Sequence, residues 1–320
     1  MCYLARVIRI HQLVNGALET RAEGAAIEKP PAGVPTWFDV VAPTPEDCAA
    51  LVEKLGLHEL ALEDALRVGH PPKLEDFEEH LFLIAHTPVS DVEEATRKLS
   101  VFLAKTWIVT LLRVPLDRLE GLVERVQKRP DHYLKSPAVL AHRLLDDMTD
   151  GFEHLVDDLV DRLDALDEPG DPVPETMTAI VGMRRETAML ARVVRSQRDV
   201  CASLALSTHA ALPKRIQPYL RDVYDHLLRV YDHLEGVREG LGAARDAYLA
   251  AVNNRLSEVM RVLTVIATIM MPLSLIAGIF GMNFETIPGL GSPAGFWLAM
   301  VGMILIAAGM LYFFRRRGWF

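Results

Sequence analysis

Two uncharged apolar runs close this 320-residue chain, one from Val262 to Phe280 and one from about Pro293 to Phe314. A stretch of about 20 apolar residues crosses a hydrocarbon core roughly 30 Å thick, and both runs reach that length. No segment before residue 260 does. Arg255 and Arg261 flank the first run on its N-terminal side, and Arg315, Arg316 and Arg317 follow the second. The connecting loop carries only Glu285, so the positive-inside rule places both termini in the cytoplasm and the short loop outside. Met1 to Val14 carries Arg6, Arg9 and His11; it does not read as a signal peptide but as an edge or surface strand.

The remainder divides by period. Residues up to about 130 mix strand-like stretches (Tyr3–Ile10, Thr36–Val41, Leu81–His86, Leu99–Leu103, Trp107–Leu112) with helical ones. Thr44-Pro45-Glu46-Asp47 has the cap and first-turn chemistry of a helix start. From Ser136 onward strand signals disappear. One helical pattern runs to about Glu168, Pro169-Gly170-Asp171-Pro172 breaks it, and a second runs from Pro174 to Leu206. A continuous helix from about Tyr219 to Phe280 would span on the order of 90 Å at ~1.5 Å per residue. Val223-Tyr224-Asp225-His226-Leu227 recurs seven residues later as Val230-Tyr231-Asp232-His233-Leu234, a period that suits self-association of this helix.

The expected fold is an α+β cytoplasmic domain (a mixed sheet with helices) over 1–130 and a helical hairpin over 131–212. A cytoplasmic stalk helix over 213–260 continues into a first transmembrane helix over 261–280. An external loop over 281–294, a second transmembrane helix over 295–314 and a basic cytoplasmic tail over 315–320 complete it.

The net charge of −9 argues against a nucleic-acid partner and suits divalent cations. Cys2, Cys48 and Cys201 lack metal-ligand spacing and fit a reducing compartment. No Ser/His/Asp set, phosphate loop or paired catalytic carboxylates stand out, so no enzyme is expected. In the first apolar run, Met260, Leu263, Ala267, Met271, Ser274, Gly278 and Gly281 are spaced by three or four residues and form one helix face. Several copies around an axis could line a narrow tube with an apolar gate at Met260 and Leu263. Ser274 and Gly278 also read as a small-residue packing pair between membrane helices. Gly281-Met282-Asn283 sits between the two runs. An Asn283 ring with Gly281 carbonyls would offer neutral oxygens to an ion that keeps its water shell, as Mg²⁺ prefers. The same residues favour a plain turn.

Phe280-Gly281-Met282-Asn283-Phe284-Glu285, preceded by Glu258-Val259-Met260 and Met271-Pro272, resembles the CorA family of magnesium channels. Trp37-Phe38-Asp39, Glu63-Asp64, Pro71-Pro72-Lys73-Leu74-Glu75 and Arg221-Asp222-Val223-Tyr224-Asp225-His226 extend the resemblance over the chain. It implies a funnel-shaped homopentamer in the cell's inner membrane, its first span lining the pore. The ion entrance would hold Gly281, Met282, Asn283 and Glu285. Asp222 would bind regulatory cytoplasmic Mg²⁺ with a carboxylate of a neighbouring subunit, for which Asp91 and Glu93 are candidates. Phe280 and Ser274 stand where Tyr and Thr are common, and Ser257 replaces a frequent Asn.

The expected function is a passive Mg²⁺ channel that also carries Co²⁺ or Ni²⁺ and is closed by cytoplasmic Mg²⁺. The rivals are a zinc or other divalent transporter on the same architecture, and a membrane-anchored sensor or scaffold without transport. The aspartates between Asp146 and Asp167 read as a solvated face or as a sink that concentrates cations. Asp225/His226 and Asp232/His233 could hold a transition metal or simply serve helix packing.

Overall fold

The computed structural model of the protein describes residues 6–21, 25–89, 96–166, 173–282 and 293–319. The chain divides into two compact units, residues 1–169 with 175–244, and residues 170–174 with 245–320.

The first unit is built on a seven-stranded sheet. Its strands are β1 (Val7–Val14), β2 (Ala17–Arg21), β3 (Thr36–Val41), β4 (Lys73–Asp76), β5 (Leu81–Pro88), β6 (Thr96–Leu103) and β7 (Trp107–Leu112). They lie in the order β2-β1-β3-β7-β6-β5-β4. Among the described residues, only β3 and β7 pair in parallel. Every residue of β3 and of β7 is buried, the pattern of central strands covered on both faces.

Alternation sorts the side chains. Phe38, Val40, Phe82, Phe102, Val109 and Leu111 form one core with Leu51, Leu55, Ala61 and Leu62. Those last four residues come from α1 (Pro45–Leu55) and α2 (Glu59–Leu66). Each fully buried large side chain contributes about 1.5–3 kcal/mol. Further helices are α3 (Asp117–Lys128), α4 (Pro130–Tyr133) and α5 (Pro137–Leu166), the last packing on β5, β6 and β7.

β1 is not an edge strand as expected; it pairs on both sides, and the edge is β2. The reason is Asn15-Gly16, both at positive φ (51° and 81°), a two-residue turn that folds β2 back onto β1.

The hairpin helix α6 (Pro174–Leu206) and the first part of α7 (Gln217–Phe280) complete this unit. Val223, Leu227, Val230, Leu234, Val237 and Leu241 of α7 are all buried. A Cβ on Gly240 would strike Leu163 of α5, and Arg198 of α6 lies over the Tyr231 ring. The Val and Leu positions of the seven-residue repeat are therefore buried within the chain, with α5 and α6 among their neighbours, while its Asp positions stay exposed.

The second unit holds the rest of α7 and α8 (Pro293–Arg316). Both helices are long and apolar enough to cross a membrane. Pro272 sits within α7 without ending it.

Candidate functional site

Within its apolar run, α7 has two distinct stripes. Val265 is buried, and Ile269, Pro272, Ile276 and Phe280, three or four residues apart, are partly shielded. At about 3.6 residues per turn, Met260, Leu263, Ala267, Met271, Ser274 and Gly278 fall on the opposite side. All six are exposed. Two threonine hydroxyls of this run are satisfied within the helix: Thr264 Oγ1 donates to the Met260 carbonyl and Thr268 Oγ1 to the Thr264 carbonyl, each at 2.7 Å. The candidate pore face is thus uncharged and, among the described residues, left unpacked.

Gly281 and Met282 end the helix. The Gly281 N–H donates to the Ala277 carbonyl at 2.9 Å and the Met282 N–H to the Ile279 carbonyl at 3.3 Å. A Cβ at Gly281 would lie 3.2 Å from that Ala277 oxygen, so a side chain there would press on the last turn. Asn283 and Glu285 lie outside the described residues, as do Asp91 and Glu93.

A second constellation lies where α5 meets α7. One ligand atom each from Asp146, Asp150 and His226 fall within 4.8 Å of one another. Asp146 and Asp150 stand four apart on α5 and share a face. His226 Nε2 is 3.8 Å from Asp222 Oδ1, and His226 Nδ1 is 4.0 Å from Glu153 Oε1. Burial holds the Asp150 carboxyl above its ordinary range, and the charges of Asp146, Glu153 and Asp147 push the same way. Carboxylates crowded into mutual repulsion gain from a cation, and this oxygen and imidazole donor set suits a divalent ion, borderline metals such as Co²⁺ included.

Asp222 thus lies beside this candidate cation set, with its own side chain largely exposed. The acidic run splits: Asp146 and Asp150 belong to this set, whereas Asp157, Asp158, Asp161 and Asp164 are exposed. Sequence reasoning passed over Asp146 and Asp150 as ligands, and their spacing of four was the available signal. His226 joins the aspartates of α5 in place of Asp225.

The N-terminal motifs are structural. Asp39 is fully buried and accepts from Arg9 Nε and Nη2, at 2.9 and 2.6 Å, and from Thr110 Oγ1 at 3.0 Å. Trp37 Nε1 donates to Thr110 Oγ1 at 2.9 Å. Lys73 bridges Asp64 and Glu75 at 2.6 and 2.8 Å, tying α2 to β4.

Comparison with known proteins agrees with this geometry. The model of the family described as CorA-like Mg²⁺ transporter protein matches residues 33–316. The chain belongs to the CorA family. The cobalt/magnesium transport protein CorA of Thermotoga maritima is 32% identical over 292 residues, covering 89% of this chain and 83% of that one. The protein of the same name from Methanocaldococcus jannaschii is 25% identical over 287 residues, covering 88% and 90%. The complete structure of the CorA magnesium transporter from that organism superposes with a TM-score of 0.84 at 23% identity and full coverage of both chains. This CorA-family chain is a divalent-cation transporter with two candidate membrane spans, and the family is not a class of enzyme.

Proposed function

We propose that the chain is a subunit of a passive Mg²⁺ channel that also carries Co²⁺ and Ni²⁺. The carrying observation is the uncharged stripe Met260–Leu263–Ala267–Met271–Ser274–Gly278, unused by packing within the chain and running to Gly281. One such face encloses nothing, so the reading requires a ring of subunits. Five is the number the family resemblance implies, with both termini in the cytoplasm and the spans in the inner membrane. Asn283 then sits at the outer mouth with Gly281, Met282 and Glu285, where its amide contacts an ion through the ion's own water. Met260 and Leu263 form the inner collar, which blocks conduction when dry. No pump chemistry is needed: a divalent ion crossing 100 mV gains about twice the ~2.3 kcal/mol of a single charge.

Control belongs to the carboxylates. Asp222 of one subunit and Asp91 or Glu93 of its neighbour repel when bare, as do Asp146 and Asp150, and this repulsion loosens the stalk helices and lets the collar wet. A bound Mg²⁺ supplies the positive charge that relieves that repulsion. The two states differ in ion affinity, which a switch requires. Support comes from the Asp146–Asp150–His226 cluster beside Asp222.

The test is ion uptake into proteoliposomes under an imposed potential. Native protein takes up Mg²⁺ and Co²⁺, and Asn283→Ala abolishes uptake; equal flux through the variant sinks the proposal. Stronger uptake of Zn²⁺ than of Mg²⁺ would favour a zinc carrier, and no flux of any ion a sensor. The gating assignment fails if Asp222→Ala leaves Mg²⁺ protection against proteolysis unchanged.

A further inference from the structure

Three imidazoles converge where the edge hairpin β4–β5 meets the connection that feeds α7. Phe77 and His80 close the hairpin turn, the Phe77 N–H donating to the His80 carbonyl at 3.0 Å. Two imidazoles stack on the Phe77 ring, His58 at 4.7 Å and His80 at 5.1 Å. His58 caps the start of α2, and His209 lies between α6 and α7. His209 Nε2 donates to the Phe77 carbonyl at 3.0 Å, so the third imidazole ties the connection to the same turn. Within the connection, the Leu212 N–H donates to the His209 carbonyl at 3.0 Å. Gln217 Nε2, on the first residue of α7, donates to the Ser207 carbonyl at 3.1 Å.

The hydrogen bonds fix the charge state of these rings. A ring nitrogen that accepts an N–H carries no proton of its own. His58 Nδ1 accepts from the Leu60 N–H at 3.3 Å, and His209 Nδ1 accepts from the Ala211 N–H at 3.1 Å. Both rings are therefore neutral here, and a proton on either Nδ1 would set two donors against each other. His80 is 2% exposed, and neither of its nitrogens has a partner among the described residues. Besides Phe77, it meets Phe102 of β6 at 5.8 Å and Trp107 of β7 at 6.1 Å, rings without charge. Burial holds its imidazole below the ordinary value, and charge on His209 or His58 pushes it the same way. Acidic groups facing the cluster pull in the opposite direction. Asp76 Oδ1 stands 3.8 Å from His209 Nε2, and Glu79 lies beside His80. Glu59, Glu63 and Glu78 lie around His58 and Phe77. All five of these carboxylates are exposed, where water and salt screen them. Asp64 and Glu75, also nearby, are taken by Lys73.

We propose that His58, His80 and His209 around Phe77 form a pH-sensitive latch that holds the foot of α7 to the sheet edge near neutral pH and releases it in acid. The closed latch needs three neutral rings, whereas an imidazole in water takes up a proton below about pH 6.5. The open form therefore binds more protons than the closed one, and the closed form loses ground as pH falls below about 6.5. Opening frees the Leu60 and Ala211 N–H groups and the Phe77 carbonyl. The latch uses none of the residues assigned to the pore or to the carboxylate cluster, so it stands whichever ion is carried.

The test is hydrogen exchange of the full-length protein in phosphatidylcholine nanodiscs at pH 7.5 and 5.5, with labelling times corrected for intrinsic exchange. At pH 5.5, amides in segments 58–62 and 207–213 should lose protection by about tenfold for each ring that gains a proton. β3 and β7 should keep theirs. His80→Phe exchanges one ring for another in the aromatic cage and should lessen the loss by about tenfold. His58→Asn with His209→Asn leaves an oxygen to accept each N–H without titrating, and should lessen the loss further. Equal protection at both pH values in the native chain, an equal loss in β3 and β7, or a native-sized loss in both variants each overturns the latch. Because the readout is protection, the result is decided apart from ion flux.

Discussion

Arg9 is the cationic partner that meets Asp39 inside the sheet. Burial holds the Asp39 carboxyl above its ordinary range, and Arg9 and Thr110 oppose that rise without cancelling it. Arg9 stands directly opposite Asp39 in the β1–β3 register and also binds Glu120 of α3 through two contacts of 2.6 Å. Arg9→Met strands a buried acid, and urea unfolding should show a loss of about 3–5 kcal/mol. In the sequence Asp39 was only one letter of a motif; its partner becomes visible once the strands pair. His11 carries the clearest pH effect. It is fully buried, its ring tilted against Trp37, and burial holds its imidazole at about 4, down from 6.5, with the Arg9 charge adding to the effect. A histidine kept neutral by folding contributes stability above pH 6.5 that is lost as pH falls from 6.5 toward 4. Between pH 6.5 and 5 this one group removes about 2 kcal/mol. Urea unfolding followed by tryptophan fluorescence should show that slope in the native chain and lose it in His11→Gln.

At the scale of elements, local chemistry was readable and partners were not. Thr44-Pro45-Glu46-Asp47 announced α1, and the structure shows the reciprocal cap: the Asp47 N–H donates to Thr44 Oγ1 and the Thr44 N–H to Asp47 Oδ2. Thr44→Ala should lower stability by about 1 kcal/mol, read by the urea midpoint at unchanged slope. Asn15-Gly16 was an equally local hairpin signal, and it places β1 inside the sheet. β4, the polar stretch Lys-Leu-Glu-Asp, has no apolar alternation to reveal it and exists because β5 offers an edge. The stripes of α7 follow the same rule. Their period is written in the chain, but whether a stripe meets a neighbouring helix or stays free depends on what packs there. If the free stripe lines the pore, Leu263→Asn should wet the collar and raise uptake at high internal Mg²⁺, whereas Ile276→Leu on the shielded side should leave uptake unchanged; the two variants compared in liposomes decide it.

For the whole molecule, the cation cluster offers the sharpest test of coupling. Asp146→Asn with Asp150→Asn removes two of three ligands while keeping their shape. The internal Mg²⁺ concentration that halves uptake should then rise about tenfold or more, measured in proteoliposomes preloaded with graded Mg²⁺. An unchanged midpoint would detach this cluster from control of the channel. The sequence by itself determined the two spans, the helix starts and the family. Those features depend on contiguous residues: hydrocarbon length, backbone hydrogen bonds closed within a turn, and side chains that cap their own helix. The tertiary structure alone decided which distant groups meet, because Asp146 and His226 share a site only through the packing of α5 on α7. It alone also decided that the valines and leucines of the repeated Val-Tyr-Asp-His-Leu segment are buried within the chain, since an apolar face joins whichever complementary surface is nearest in space.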